Sequence, residues 1–256
     1  EDDMLTVQLD DRAVFLDRWR RLTLELLTDE AVAGHPGRLQ FRDLVRDTWT
    51  GRASTDSQAF RLVRTFRVET FESIYGRFLA PLVEADERFS IYRFVQWEDS
   101  LWRMITEQPA HLLGPEDGSW NQVLLEAVDS TMDYFSTEIG TDPELWTWGH
   151  RNTVRIRHPI SMAVPQLSSW LDIDPMLLPG ASIMPRVQSP GFGASERFAV
   201  SPGREDEGYF HMPGGQSGHP LSPFYRAGHE AWVNGEPTPF LPGETVHTLT
   251  LVPADS

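Results

Sequence analysis

The chain has 256 residues, enough for one large domain or two small ones and for a sizeable buried core. Apolar residues make up 40% and aromatics 11%, as in a folded globular chain, and a net charge of −16 argues against nucleic acid and anionic membrane surfaces as partners. The absence of Cys excludes disulfides, thiolate metal sites and Cys nucleophiles, and since all 22 basic residues are Arg there is no lysine to serve as Schiff base or general base.

The opening Glu1-Asp2-Asp3-Met4 is neither an initiator Met nor a basic stretch followed by an apolar one, so any targeting signal is expected to be absent or already removed. No run approaches the ~18 apolar residues of a membrane span. Phe15, Trp19, Leu22 and Leu26 share one helical stripe and predict a helix over Asp10–Leu27, with Asp10 or Asp11 as its cap. Further helices are expected over Leu39–Trp49 and over Gln58–Val83, the latter broken or bent near Gly76 and Pro81. Two more follow, from Ser90 through Glu107 and from Asn121 to Glu138, the second ending at Gly140 as a left-handed cap. Asp142-Pro143 starts a short turn of helix.

The character changes near residue 141, dividing the chain into a helical segment, 1–141, and a strand-rich segment, 142–256. Strand candidates are Thr153–Arg157, Ser182–Val187, Arg197–Ser201, Gly208–Met212, Ala231–Asn234 and Thr245–Val252. Helices first and strands second predict an α+β fold, a helical N-terminal half followed by short antiparallel strands.

Residues 214–225, Gly-Gly-Gln-Ser-Gly-His-Pro-Leu-Ser-Pro-Phe-Tyr, form the most distinctive stretch. Gly215-Gln216-Ser217-Gly218-His219 approximates the Gly-x-Ser-x-Gly nucleophile elbow, but His219 stands where the last Gly belongs, and Pro220 and Pro223 forbid the helix that must follow. Gln216 and Ser217 are therefore expected to satisfy loop backbone groups. His150, His158, His211, His219 and His229 lack the short spacings that preorganise a metal site and are expected to tie loops to backbone carbonyls; a zinc hydrolase using His211, His219 and His229 stays open as an alternative. The acidic run Glu205-Asp206-Glu207 reads as a solvated face, and the tryptophans as core, with Trp146 and Trp148 as possible walls of an acyl pocket.

Taken in order, these pieces resemble the penicillin acylase (penicillin amidase) family. Met4…Gln8…Asp10 is similar to its Met-x-x-x-Gln-x-Asp segment, and Trp49-Thr50-Gly51…Asp56-Ser57 to its Trp-Asp-Gly…Asp-Ser segment. Trp148-Gly149-His150 with His158-Pro159 resembles its Trp-Gly…His-Pro stretch, and Gly193-Ala194-Ser195-Glu196-Arg197 its Gly-Ala/Pro-Ser-x-Arg strand. Gly215-Gln216-Ser217-Gly218-His219-Pro220, Ser222-Pro223-Phe224-Tyr225 and Trp232 match its Gly-Gln-Ser-Gly-Asn-Pro…Ser-Pro-His-Tyr…Trp signature. The departures from the pattern include Thr50 in place of an acid, His219 in place of an Asn, and Ser201 in place of an acid that in some relatives orients a histidine.

The resemblance implies the C-terminal part of the large chain of an N-terminal-nucleophile hydrolase, an αββα sandwich that cleaves a linear amide. It places the nucleophilic serine, the oxyanion donors, the orienting Arg and any calcium ligands upstream, in the rest of the same precursor, which becomes the expected partner alongside a small amide substrate. Glu1 cannot be that nucleophile. No catalytic, cofactor or metal residue is then expected here. Trp148, His150, His158, Arg197, Gln216, Ser217, His219, Ser222 and Trp232 become structural markers. A periplasmic or secreted location follows from the resemblance alone. The alternative class is a non-catalytic binding or scaffold module.

Overall fold

The computed structural model describes residues 2–93, 95–115 and 117–253. The chain opens with α1 (Asp2–Gln8), whose Leu5 is buried. Gln8 ties it to the far end of the sequence, donating from Nε2 to the Phe198 carbonyl at 3.1 Å and accepting from the Tyr209 hydroxyl at 3.1 Å.

The helix expected from Asp10 begins only at Asp17, after a 3₁₀ turn at Val14–Leu16, and runs as α2 (Asp17–Leu26). Residues 11–13 are occupied elsewhere. Ala13 N–H donates to Gly51 O and Ala53 N–H to Asp11 O, both at 2.8 Å. The Asp10 carboxylate accepts from the Arg12 N–H and guanidinium, so it closes a local turn instead of capping a helix. The Arg12 contacts hold Asp10 at about 2.

α3 (Asp29–Val32) is capped by Thr28 Oγ1, which accepts from Ala31 N–H at 3.3 Å. α4 (Pro36–Asp47) starts ahead of the expected Leu39 because Pro36 fits the first turn, where its missing N–H costs nothing. α5 (Gln58–Ala85) is capped by Ser57 and continues through both Gly76 and Pro81. Its first half buries residues on several faces, among them Phe60, Leu62, Val63 and Phe66, which makes it the central helix of the layer.

α6 (Glu98–Glu107) is shorter than expected; Ser90 begins no helix, and only a 3₁₀ turn at Ile91–Arg93 precedes it. α7 (Trp120–Tyr134) is capped by Ser119 and ends in a π-helical turn at Phe135–Ile139. Gly140 has φ +114°, but its backbone is not the left-handed helical conformation expected of it. α2, α4, α5 and α7 enclose one core in which Phe66 meets Trp19 and Phe41 edge-on, at 6.0 and 6.2 Å between centroids.

Beyond a 3₁₀ turn at Pro143–Trp146 the elements are brief: α8 (Trp148–Arg151), β1 (Thr153–Val154), α9 (Pro159–Ala163), α10 (Ser168–Leu171), β2 (Met176–Leu177), β3 (Gln188–Ser189), β4 (Phe192–Gly193), β5 (Arg197–Ala199), β6 (Tyr209–His211) and α11 (His229–Asn234). The strands form three separate antiparallel pairs, β1–β2, β3–β4 and β5–β6, the last with Arg197 opposite His211. The chain is thus about half helical with a few short antiparallel strands, an α+β arrangement. The core does not stop at residue 141, since Trp146, Trp148 and Ala181 belong to the helical cluster. No helix among the described residues is long and apolar enough to cross a membrane.

Three expected strands are absent. Residues 182–187 form turns, in which Arg186 N–H donates to Asp10 O and Arg186 O accepts from Ala181 N–H. Ala231–Asn234 is helical as part of α11, which lies between Gly228 and Gly235 at φ +81° and +73°. Thr245–Val252 is exposed and unpaired; β-branched residues favour a strand only where a neighbouring strand and a buried face exist.

Glu98 at the start of α6 anchors this layer. Its carboxylate accepts from Trp19 Nε1 at 2.7 Å, Arg18 Nη2 at 2.8 Å and Arg67 Nε at 2.6 Å. Burial opposes its charge, but the bonds from Arg67 and Arg18 prevail and hold its pKa below the ordinary glutamate value. Glu98→Ala orphans the buried Trp19 N–H and the Arg67 cation and should lower unfolding stability by about 2 kcal/mol at pH 7, allowing for the solvent that reaches Arg18. A carboxyl with a depressed folded pKa stabilises above its unfolded value, so the gap between wild type and variant should close as pH falls below about 4.5. Denaturant melts at pH 7 and pH 3 test both points.

Candidate functional site

The residues singled out in the sequence settle in two places, around Trp148 and around Trp232. Trp148 is buried at the start of α8, donating from Nε1 to the Gly180 carbonyl at 2.8 Å. Its ring lies edge-on to Phe60 at 4.8 Å. Gly149 N–H donates to Thr55 O at 2.8 Å, and a Cβ on Gly149 would sit 2.6 Å from that oxygen, so no other residue fits. Trp146 is core, its Nε1 donating to Gly140 O at 2.8 Å. His150 bonds Thr147 Oγ1 through Nδ1, and His158 caps α9 by accepting from Ile160 N–H at 3.1 Å.

Trp232, on α11, organises the second place. Its Nε1 donates to Ala194 O at 2.8 Å, and its ring stacks on His229 at 6.1 Å. The Arg197 guanidinium lies 5.1 Å from the ring centroid and donates from Nη1 to the Trp232 carbonyl at 2.9 Å. A Cβ on Gly193 would stand 2.9 Å from the Trp232 ring, which accounts for the glycine that opens the Gly-Ala-Ser-x-Arg segment. Burial, and then the neighbouring Arg186 cation, push Arg197 down to about 10. Several enclosed polar atoms here have no hydrogen-bond partner among the described residues: Arg197 Nε, Gln188 Oε1 and His229 Nε2.

His211 is 3% exposed and forms one wall of an open groove of about 380 Å³ shared with Gly214, Gly215, Gln216 and Phe224. Burial, then Arg197, hold its pKa below the ordinary histidine value, so it is a neutral imidazole at pH 7.

The 214–225 loop folds back on itself. Gly215 N–H donates to Tyr225 O at 3.0 Å and Ser217 N–H to Phe224 O at 3.4 Å. Side chains then cap successive turns: Ser217 Oγ accepts from His219 N–H, His219 Nδ1 from Leu221 N–H and Ser222 Oγ from Phe224 N–H, each at 3.2 Å. The Tyr225 hydroxyl fixes the far side by donating to Leu171 O at 2.6 Å. Ser217 thus shapes a turn, and no helix follows it as an elbow requires. Gln216 does not satisfy the loop backbone as expected; it is exposed and directs Nε2 at Met212 Sδ, 3.0 Å away.

Among the described residues His229 takes a backbone carbonyl as partner, Nδ1 lying 2.7 Å from Pro213 O, and the Ala231 backbone bears on His211. His158 and His219 accept from N–H groups instead. His211, His219 and His229 are not brought together, and among the described residues no three His, Cys, Asp or Glu side chains form a cluster able to hold a metal ion. The sequence reading missed a group of arginines beside Trp148, Arg61, Arg64 and Arg151. The spacing of Arg61, Arg64 and Arg67 along α5 was the available signal.

Two outcomes follow. Gly215→Ala would place a Cβ 1.8 Å from the Phe224 carbonyl oxygen, so the loop must open, and amide exchange at Gly215 and Ser217 should lose its protection while α5 amides keep theirs. For His211, a depressed folded pKa means that the unfolded chain binds the proton more tightly. Stability from this group is complete above about 6.5 and falls as pH drops through that value. His211→Gln should flatten the decline in stability between pH 7 and 5 and leave the carboxylate-driven loss below pH 4 unchanged, as read by denaturant melts across pH.

No curated protein matches the chain. The family model described as penicillin amidase matches residues 1–245, from the start of α1 to beyond α11. The chain belongs to the penicillin amidase family.

Proposed function

We propose that this chain is the C-terminal segment of the large chain of a penicillin acylase-type amidohydrolase that cleaves a linear acyl–amine bond. The nucleophilic serine, the oxyanion donors, the orienting Arg and any calcium ligands then belong to upstream parts of the same precursor. Family membership supports amide hydrolysis. One observation supports the division of labour: the marker side chains bond within the chain, while the strands form only short separate pairs. The ladders are two strands wide, with β6 bonded further to residues 238–240, and Leu177, Phe192, Phe198, Met162 and Trp170 are exposed. The strand edges left open and the exposed apolar side chains favour a covering partner. In an αββα sandwich, upstream strands would extend these ladders and bury those side chains. Trp148, His150, His158, Arg197, Gln216, Ser217, His219, Ser222 and Trp232 act as scaffold in this reading. A periplasmic or secreted location goes with it.

The purified 256-residue chain should not hydrolyse chromogenic acyl-anilides, whereas the full precursor should process itself and do so. Hydrolysis by the chain alone that disappears in Ser217→Ala would overturn the proposal. An upstream reading frame without a Ser, Thr or Cys behind a cleavable Gly or Ala would point to a binding module instead.

A further inference from the structure

A pocket of about 220 Å³ lies beside Trp148, between α5, the end of α7 and α8, with Arg61, Arg64 and Arg151 in its wall. In this acidic chain most arginines are ion-paired; among the described residues these three are not. Arg61 is already committed, donating from Nη1 to Leu145 O at 3.0 Å and Thr147 O at 3.3 Å. Arg64 and Arg151 lie over the Trp148 ring at 5.3 and 5.4 Å from its centroid. Neither guanidinium has a hydrogen bond to the described residues, and Arg64 Nε is enclosed without any partner. Burial first, then the Arg151 and Arg67 cations, push Arg64 down to about 10. Like charges held together on an indole, one with an unpaired buried nitrogen, make a surface suited to an anion.

The wall also sets the charge of that anion. Glu69 and Glu72 line the same pocket. Glu72 accepts from the Tyr92 hydroxyl at 2.7 Å, and burial raises the Glu69 pKa. Three cations against two carboxyls suit a monoanion and penalise a dianion. The planar guanidiniums favour carboxylate geometry. We infer that Arg64 and Arg151, backed by Trp148 and Arg61, form a binding site for a single carboxylate, donated by a small free acid or by an Asp or Glu of an upstream segment. The site itself does not depend on the chemistry proposed above; the upstream source of the carboxylate rests on that reading.

The test titrates acetate into the 256-residue chain at constant ionic strength, reading saturation transfer to the acetate methyl protons. Binding should saturate at about millimolar concentration. Arg64→Met and Arg151→Gln should each weaken it about tenfold or more, the loss of a charge-assisted bond. Arg155→Gln, in another part of the fold, should not, and sulfate should compete poorly. No transfer in the wild type, or equal affinity in the variants, overturns the inference. Repeating the titration on the precursor separates the sources. Retained binding assigns a free acid. Lost binding together with a larger melting-temperature cost of Arg64→Met than in the isolated chain assigns an upstream side chain. Lost binding without that larger cost overturns the inference.

Discussion

The joint between Trp148 and the 178–180 backbone holds the two halves of the chain in register. Trp148 Nε1 and Asn152 Nδ2 both donate to the Gly180 carbonyl, at 2.8 and 3.1 Å, and Asn152 Nδ2 also reaches Leu178 O at 2.9 Å. From there Gly180 N–H donates to Ala53 O at 2.9 Å, and Ala53 N–H to Asp11 O. One buried indole thereby links the central helix, the 50–57 segment and the first strand pair. Each donor and acceptor is shut off from water, so losing one bond would leave its partner to bear the full cost of desolvation. Gly149 is the geometric condition, because only a residue without Cβ lets α8 lie against Thr55.

This arrangement recasts the family motifs. Met4…Gln8…Asp10, Trp148-Gly149, Gly193…Arg197 and the Gly215–Tyr225 loop are far apart in sequence, yet each supplies a bond that fixes one piece of backbone against another. Gln8 clasps both β5 and β6. Gly193 makes room for the Trp232 ring, and Trp232 accepts Arg197 through its carbonyl. Each of these residues is tied to its place by shape and hydrogen bonding. The penicillin amidase match from residue 1 to residue 245 agrees with a framework distributed over the chain.

How much of this was legible depended on what each element needs. α2 was readable from its apolar stripe, and α5 and α7 from long apolar runs that a local Ser57 or Ser119 caps. The start of α2 was not, because the Asp10 turn and the pairing of residues 11–13 with 51–53 depend on a segment distant in sequence. Strands were harder for the same reason. Residues 245–252 have the composition of a strand and find no partner, while α11 carries strand-like Ala231-Trp232-Val233 and is made helical by flanking glycines at positive φ. That signal, Gly228 and Gly235 around six residues, was present in the sequence. Ser217 was readable as a turn residue because its prolines exclude a helix. The arginine group beside Trp148 was not, since Arg151 joins it only through the α5–α8 contact.

The exclusive use of arginine bears on what this fold can bury. Arg64 and Arg197 are each pushed down to about 10, by burial before any neighbour. A guanidinium stays charged at neutral pH after such a displacement, whereas an ammonium, which starts near about 10.4, would be left titrating much nearer neutral pH. Replacing either arginine with lysine would therefore exchange a fixed cation for one that can shed its proton, and would remove the flat face that lies over Trp148 or Trp232. At Arg197 the charge is spent on an indole and a carbonyl. Arg64 and Arg151 also lie over an indole but donate no hydrogen bond to the described residues, and that difference separates a cation that holds the fold together from one available to an incoming carboxylate.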